Sequence, residues 1–592
     1  MEVTRTFDLL ERYRQHFMRD EILAVKLQRK WYSYSTQQYL DYAYHIAFAL
    51  LEMGFRKGDK IATISGNRPE WNFVDMGMAM VGVVHVPLYT SLSQEEYEYI
   101  LRHSDARMVF IGDSPLWKKI APVTEKIPEV EWVYTFDRIE GTNHWTELAE
   151  LGKTRAPQWM ETLEKIKESI VSEDFATLIY TSGTTGCSKG VMLSHRNLVG
   201  NFLAAAEIFR LNATRRYMNI LPLCHVGGRM GNYQTQYSGS TIYYPENMGT
   251  IAADMKEVRP HGFDAVPRIL EKIFDTILSK GRKLKGIKKA IFFWAVNLGL
   301  HYKTPDESTW FYRIRLRLAD KLIFSKWRDA IGGCIELVGC GWAALPPRVE
   351  RVFWAAGIRV LNMYGLTETS PVITINRQEK PELKLGTVGT VIDGVEVKLA
   401  PDGEILCKGH NVMLGYYKNP EMTRMAFDSD GWFCTGDIGV LEGGKYLRVT
   451  DRKKEIFKLS SGKFIVPQVL ENKLKESCFI EHAMVIGEHE KFASALIAPD
   501  YNSLREWCAE NNITFEGQEE LIRDEQLVKL INREVARFNR NTSEFEQIKR
   551  FRLVPDTWST ETGELSPTLK LKRSFVTSKY RVLIDQIYSK QN

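Results

Sequence analysis

Hydroxyl and glycine residues crowd one short stretch of the chain, Tyr180-Thr-Ser-Gly-Thr-Thr-Gly-Cys-Ser-Lys-Gly190. Gly183, Gly186 and Gly190 let the backbone turn tightly and aim N–H groups at an anion. Thr181, Ser182, Thr184 and Thr185 add hydroxyls, and Lys189 adds a cation. Such a composition suits a triphosphate. It is not a Walker A loop, because Ser188 stands where that motif requires glycine before the lysine. Two other readings compete. Gly186-Cys-Ser188-Lys-Gly190 fits the G-x-S-x-G elbow that would make Ser188 a hydrolase nucleophile, and a plain surface loop would need no function. An elbow, however, does not call for the hydroxyl-rich Gly-Thr-Thr-Gly ahead of it.

The elements around this loop must hold it rigidly. An apolar strand-like run, residues 175–180, leads in, and a second run, 191–193, followed by a helix pattern capped by Ser194, leads out. Short β-rich runs at 60–65, 83–89 and 106–111 alternate with helical segments, which predicts an α/β unit with a largely parallel sheet. A second α/β stretch is expected from about 175 to 364, with strands near 335–338 and 359–363. After Gly386 the texture changes to alternating strands with tight turns, among them a Gly443-Gly444 hairpin, as in a small barrel or sandwich. Charged helices and short strands follow beyond Asp451. The expected organisation is therefore residues 1–450 as one large domain, with α/β subdomains to about 385 and a β-barrel-like part over 386–450, then a smaller α+β domain over 451–592.

The glycine-hydroxyl loop closely resembles the signature of the adenylate-forming (AMP-binding) superfamily, which includes acyl-CoA synthetases, luciferases and peptide-synthetase adenylation domains. Further motifs follow in that family's order along nearly the whole chain. Tyr364-Gly365-Leu-Thr367-Glu368-Thr resembles the family motif whose tyrosine stacks on adenine, whose threonine meets the α-phosphate and whose glutamate holds Mg²⁺. With the preceding Asn362 and Met363 it forms the implied nucleotide wall, and Thr181 joins Glu368 as an implied metal and catalytic residue. Asp437, in Thr435-Gly-Asp437, matches the carboxylate that grips the ribose hydroxyls. Asp451-Arg452 matches the hinge before a mobile lid. Lys454, Lys458, Ser461, Gly462 and Lys463 match the lid segment that meets the nucleotide and then the CoA tunnel. Leu565-Ser-Pro-Thr-Leu-Lys-Leu-Lys-Arg573 resembles the long-chain synthetase form of the motif that carries the adenylation lysine, here Lys570, with Lys572 the alternative.

The resemblance implies ATP, Mg²⁺ and CoA, a fatty acid substrate and two steps through acyl-AMP. Asn67-Arg-Pro-Glu-Trp71 and Val266-Pro-Arg-Ile-Leu-Glu-Lys272 point to the long-chain branch. His225 resembles the family's histidine at the carboxylate entrance. One departure concerns the acyl pocket. Where relatives usually show a Gly-Gly-Ala-Pro-Leu-like stretch, this chain has Cys340-Gly341-Trp342-Ala343-Ala344-Leu345, and an indole in place of glycine is expected to shorten or redirect the tunnel.

Bulk properties agree with an enzyme of this kind. The 592 residues exceed what one core supports, and 44% apolar with 26% charged residues is ordinary for globular proteins. A net charge of +5 gives no whole-protein field for nucleic acid. None of Asp393, Asp402 and Asp430, each followed by glycine, has a lysine two places earlier, so the K-x-D-G motif of nucleotidyl ligases is missing. The eight cysteines form no C-x-x-C pair, and no run approaches the length of a membrane span, which suggests a cytoplasmic protein with reduced thiols. The region 286–332 mixes apolar and basic positions, with Trp310, Phe311, Ile314 and Leu318 at helical spacing beside Arg313, Arg315 and Arg317. It would either lie on an anionic membrane or pack on its own domain. Oligomeric state stays open, a homodimer included. Transfer to a carrier protein instead of CoA, and a non-catalytic ATP sensor, are the rival functions.

Overall fold

The computed structural model describes residues 2–182, 188–540, 542–566 and 569–589. Among these residues two large sheets dominate. One has eight strands in the order Gly415–Tyr416, Ser188–Ser194, Phe175–Ser182, Val84–Leu88, Lys60–Ile64, Ala106–Ile111, Trp132–Thr135 and Asn143–His144. The other has nine and runs from Thr390–Val391 through Val372–Ile375, Arg359–Gly365, Leu337–Cys340, Gly262–Ala265, Arg216–Met218 and Thr241–Tyr244 to Leu23–Leu27 and Lys30–Tyr34. The central strands of both pair in parallel, as alternating strands and helices require.

Two assignments made from sequence change. Phe175–Ser182 opens the second stretch of the chain, yet it pairs in parallel with Val84–Leu88 of the first sheet. Leu23–Leu27, near the amino terminus, pairs with Thr241–Tyr244 of the other sheet. The two sheets therefore exchange strands, and neither corresponds to one continuous half of the sequence. The apolar stretch 76–88 lies in the core, shared between the helix Pro69–Val81 and the strand Val84–Leu88, which is buried throughout. Between them Gly82 caps the helix at φ 78°, in the left-handed region open to glycine.

A further sheet has the order Val395–Leu399, Glu404–Gly409, Phe433–Glu442, Tyr446–Arg452. Its last two strands flank Gly443 and Gly444, both at positive φ (60° and 75°), as the expected hairpin requires. The chain divides into two compact units, one of Met1–Lys398, Leu406–Cys434 and Glu442–Leu447, the other of Leu399–Ile405, Thr435–Leu441 and Arg448–Asn592. The smaller unit has its own core around Leu470, Ile497, Leu504 and Ile531 and a three-stranded sheet, Ile480–Ile486, Ser494–Pro499 and Arg550–Leu553.

Among the described residues no helix is long and apolar enough to cross a membrane. The cysteines among them are free thiols.

Candidate active site

The loop-bearing strands form an antiparallel ladder in which Thr181 faces Lys189 and Ser182 faces Ser188. Gly183, Thr184, Thr185 and Gly186 lie outside the described residues, as does the side chain of Ser182. Ser188 thus begins a strand inside a ladder, and its carbonyl accepts from the Tyr99 hydroxyl at 3.1 Å. A nucleophile elbow needs a strand-to-helix turn, so the hydrolase reading loses its local geometry.

Lys189 reaches across to the other sheet. Its Nζ lies 2.7 Å from Glu368 Oε1 and 2.7 Å from the Tyr416 hydroxyl, which itself donates to Glu368 Oε1 at 2.9 Å. The ammonium also sits 4.3 Å from the Tyr416 ring centroid. Glu368, on the single turn Thr367–Thr369 after the strand Arg359–Gly365, is 7% exposed. Burial pushes its carboxyl up, but the Lys189 charge and the hydrogen bonds from Lys189 and Tyr416 outweigh that, holding it below the usual range. Thr181 Oγ1, at the loop's entrance, is buried with no hydrogen-bond partner among the described residues. A buried orphan hydroxyl is costly unless something binds it. A buried anion, a cation and an orphan hydroxyl therefore meet where the glycine-hydroxyl loop leaves its sheet, and these groups fit a nucleotide triphosphate with a divalent metal.

Tyr416 was invisible in sequence. It lies far from both motifs along the chain and joins them only because Gly415–Tyr416 pairs with Met192 and Val191. On the wall that Asn362, Met363, Tyr364 and Gly365 were expected to form, Asn362 and Met363 are buried and Tyr364 and Gly365 half-buried. Asn362 donates to the Thr387 carbonyl at 3.2 Å while its Oδ1 has no partner among the described residues.

His225 caps the helix Val226–Tyr237, its Nδ1 accepting the Gly227 N–H at 3.0 Å. That acceptor role puts the neutral ring's proton on Nε2. One turn on, Arg229 is buried and donates to Thr177 Oγ1 at 2.6 Å and to Asp75, which also meets His85 at 2.7 Å. Thr177 belongs to the strand entering the phosphate loop, so this buried network ties the His225 helix to that strand. Burial lowers His85 to about 4, leaving it neutral beside the Arg229–Asp75 pair. Sequence reasoning missed Arg229, Asp75 and His85.

Trp342 stands at φ 71°, a left-handed conformation that costs about 1–2 kcal/mol for a residue with a side chain. Its ring packs edge-on against His225, centroids 5.3 Å apart, and lies over Gly227, where any Cβ would collide with the indole. Gly341 is buried and Ala343 exposed. Trp342→Gly suits the backbone and removes the ring. It is expected to raise kcat/KM for longer acids relative to shorter ones by roughly tenfold or more, measured across a ladder of chain lengths, and an unchanged profile would refute the pocket role.

One turn further along the same helix, the Asp264 carboxyl lies where a Cβ on Gly231 would fall. Its only hydrogen bond among the described residues is from the Tyr217 hydroxyl, 2.9 Å, and burial lifts it to about 7. A second buried carboxyl, Glu350, accepts from the Gly386 N–H at 2.6 Å and is lifted by burial to about 8.

In the smaller unit Asp437 is buried and meets Arg452 at 3.4 Å. Thr435 donates to the Ile405 carbonyl at 2.7 Å and accepts the Asp437 N–H at 3.1 Å, which fixes the turn. The hinge candidate Asp451 is fully buried and accepts from the Arg452 and Gln468 N–H groups; burial lifts it to about 6. Lys454, Lys458, Ser461, Gly462 and Lys463 are exposed on and beside a small hairpin, Phe457–Lys458 with Phe464–Ile465, turned by Gly462 at φ 84°. Lys570 is exposed on a tight turn. Its N–H donates to Ser566 Oγ at 3.1 Å and its carbonyl accepts the Ser566 N–H at 2.7 Å.

This arrangement is that of a nucleotide-dependent acyl-activating enzyme, and comparison with known proteins agrees. Residues 11–417 match the model of the AMP-binding enzyme family, and residues 454–592 match that of the AMP-binding enzyme C-terminal domain. The chain belongs to this family of adenylate-forming enzymes. It is 32% identical over 551 residues to the long-chain-fatty-acid–CoA ligase FadD15 of Mycobacterium bovis, covering 92% of this chain and 90% of that one. It is 30% identical to long-chain-fatty-acid–CoA ligase 1 of Cavia porcellus, with 95% and 82% covered. Among solved structures, the adenylation domain of a carboxylate reductase from Mycobacterium chelonae superposes with a TM-score of 0.76 at 20% identity, covering 99% of this chain and 91% of that one. ATP-bound MatB from Rhodopseudomonas palustris gives 0.69 at 20%, with 98% and 99% covered. These two share the fold.

Proposed function

We propose that the protein is an AMP-forming fatty acid–CoA ligase acting on long-chain acids. The observation that carries the reading is the buried Glu368 carboxylate, held ionised by Lys189 and Tyr416 beside the orphan hydroxyl of Thr181. Carboxylate adenylation needs no enzyme nucleophile, because the substrate's own carboxylate attacks the α-phosphorus. The protein has to position the reactants and neutralise charge. Glu368 and Thr181 would hold Mg²⁺, which when bound supplies charge neutralisation at the phosphates. Lys189 is positioned to turn from Glu368 to a phosphate oxygen. Asp437 accepts two ribose hydroxyls, and Tyr364 offers its ring to the base.

His225 and Trp342 border the acid, and Trp342 limits how far its chain extends. We read residues 451–592 as a lid that turns about Asp451-Arg452, bringing Lys570 to the α-phosphate in the first step and the Lys458 to Lys463 hairpin to CoA in the second. The long-chain preference rests on the curated relatives at about 30% identity, which are long-chain ligases by name.

The deciding experiment is ATP–pyrophosphate exchange across a ladder of fatty acids, with and without CoA. Acid-dependent exchange and acyl-CoA formation from free CoA are expected, strongest with long chains. Exchange without thioester would assign the acyl group to a carrier protein, and ATP binding without exchange would make the chain a nucleotide sensor.

A further inference from the structure

The helix Trp310–Ala319 has two apolar faces, and only one is used. Tyr312, Leu316 and Ala319 pack against the core of the larger unit, and the Tyr312 hydroxyl donates to the Leu298 carbonyl at 3.2 Å. The opposite face carries Trp310 (70% exposed), Phe311 (58%), Ile314 (47%) and Leu318 (50%). At about 100° per residue these four fall within one arc roughly 100° wide. Arg313 and Arg317 flank that arc on one side and Arg315 on the other, all three exposed. Exposed apolar side chains scattered singly are unremarked features of any surface, but four on a single helical stripe mark a contact.

Charge decides what the contact is with. The helix holds three arginines and no acid, and between Asp275 and Asp306 the chain has seven Lys and Arg and no Asp or Glu. Part of that basic stretch begins the neighbouring helix Gly286–Leu300, where Ile287 is 77% exposed beside Lys288 and Lys289. The two helices touch, with the Arg315 guanidinium 5.9 Å from the Trp294 ring centroid. A second copy of so basic a face would be repelled, since like charges brought together cost several kcal/mol. A surface that is apolar just below an anionic layer matches both features: aromatic and aliphatic side chains enter the acyl boundary while flanking arginines remain among the headgroups.

We infer that the Trp310–Ala319 helix docks the protein on anionic phospholipid bilayers. The inference stands on the surface alone and does not depend on the proposed ligase activity.

Co-sedimentation of the full-length protein with vesicles tests it, comparing pure phosphatidylcholine with phosphatidylcholine containing phosphatidylglycerol. The wild type is expected to bind the anionic vesicles at least tenfold more tightly than the neutral ones and to release as salt shortens the screening length. Replacing Trp310, Phe311, Ile314 and Leu318 together by serine should lower binding at least tenfold, and Arg313→Gln/Arg315→Gln/Arg317→Gln should abolish the preference for anionic lipid. Both variants should keep the wild-type circular dichroism spectrum and melting temperature, since no replaced side chain is buried. Equal binding to both vesicle types, no binding, or unaltered binding by the serine variant would each overturn the inference. So would a wild-type dimer in sedimentation velocity that the serine variant dissolves, which would give the face to a second copy.

Discussion

Alanine at position 570 is expected to lower acyl-adenylate formation by about 10²–10³-fold while leaving thioester formation from preformed acyl-AMP within a few-fold of wild type. The split is the informative part. A cation presented to the phosphate in one half-reaction only should affect that half-reaction only. Lys570 is presented on a clipped turn, closed by the bridge between Leu565 and Leu571 and by two hydrogen bonds with Ser566. The next residues are tied down by Arg573, which pairs with Glu455 at 3.1 Å and with Glu471. Lys572 is half-buried and begins the helix Arg573–Lys579, so Lys572→Ala should leave adenylation much less affected. Single-turnover measurement of each half-reaction separates the two lysines. Equal losses in both half-reactions for Lys570→Ala, or a larger adenylation loss for Lys572→Ala, would remove Lys570 from the assigned role.

Glu368→Gln is the second large effect. Glutamine keeps the shape and an acceptor for Lys189 and Tyr416, so the fold should survive, with about 1–3 kcal/mol lost because a charge-assisted interaction becomes a neutral one. Adenylation should fall by about 10²–10³-fold, because the amide can neither bind a divalent cation well nor balance Lys189. Thermal melting and exchange assays on the same preparation measure both quantities. Exchange retained within tenfold of wild type would show that Glu368 is only a structural partner of Lys189.

Much of this site was legible because it is local. The glycine-hydroxyl loop shows an anion-binding composition within ten residues, and Tyr364 to Glu368 stands out through its resemblance to a short family motif. The Gly443-Gly444 hairpin was legible for the same reason, since two adjacent glycines allow the positive φ values that the turn uses. What sequence could not supply is pairing across distance. Tyr416 enters the Lys189–Glu368 group through a strand register, and Leu23–Leu27 pairs with Thr241–Tyr244, about two hundred residues further along the chain. No short-range periodicity encodes either. Trp342 shows an intermediate case: its departure from the family pattern is plain in the sequence, but its left-handed backbone and its dependence on Gly227 are not.

Asp264 and Glu350 have a consequence for folding itself. Each carboxyl holds its proton to a higher pH in the native core, to about 7 and about 8, than in the unfolded chain, where carboxyls ionise near 4. Between those values the folded protein binds more protons than the unfolded one, so folding draws protons from solution. Their contribution to stability then declines as pH rises from about 4 toward 8, by at most about 1.4 kcal/mol per pH unit for each group, while the buried His85 and His195, both lowered to about 4, act in the opposite sense up to about 6.5. Urea titrations of the wild type and of the Asp264→Asn/Glu350→Gln variant at several pH values should differ by that contribution, the wild type losing more stability than the variant between pH 4 and 8. The share of the reserve against unfolding that these two carboxyls supply is accordingly largest on the acid side of neutrality.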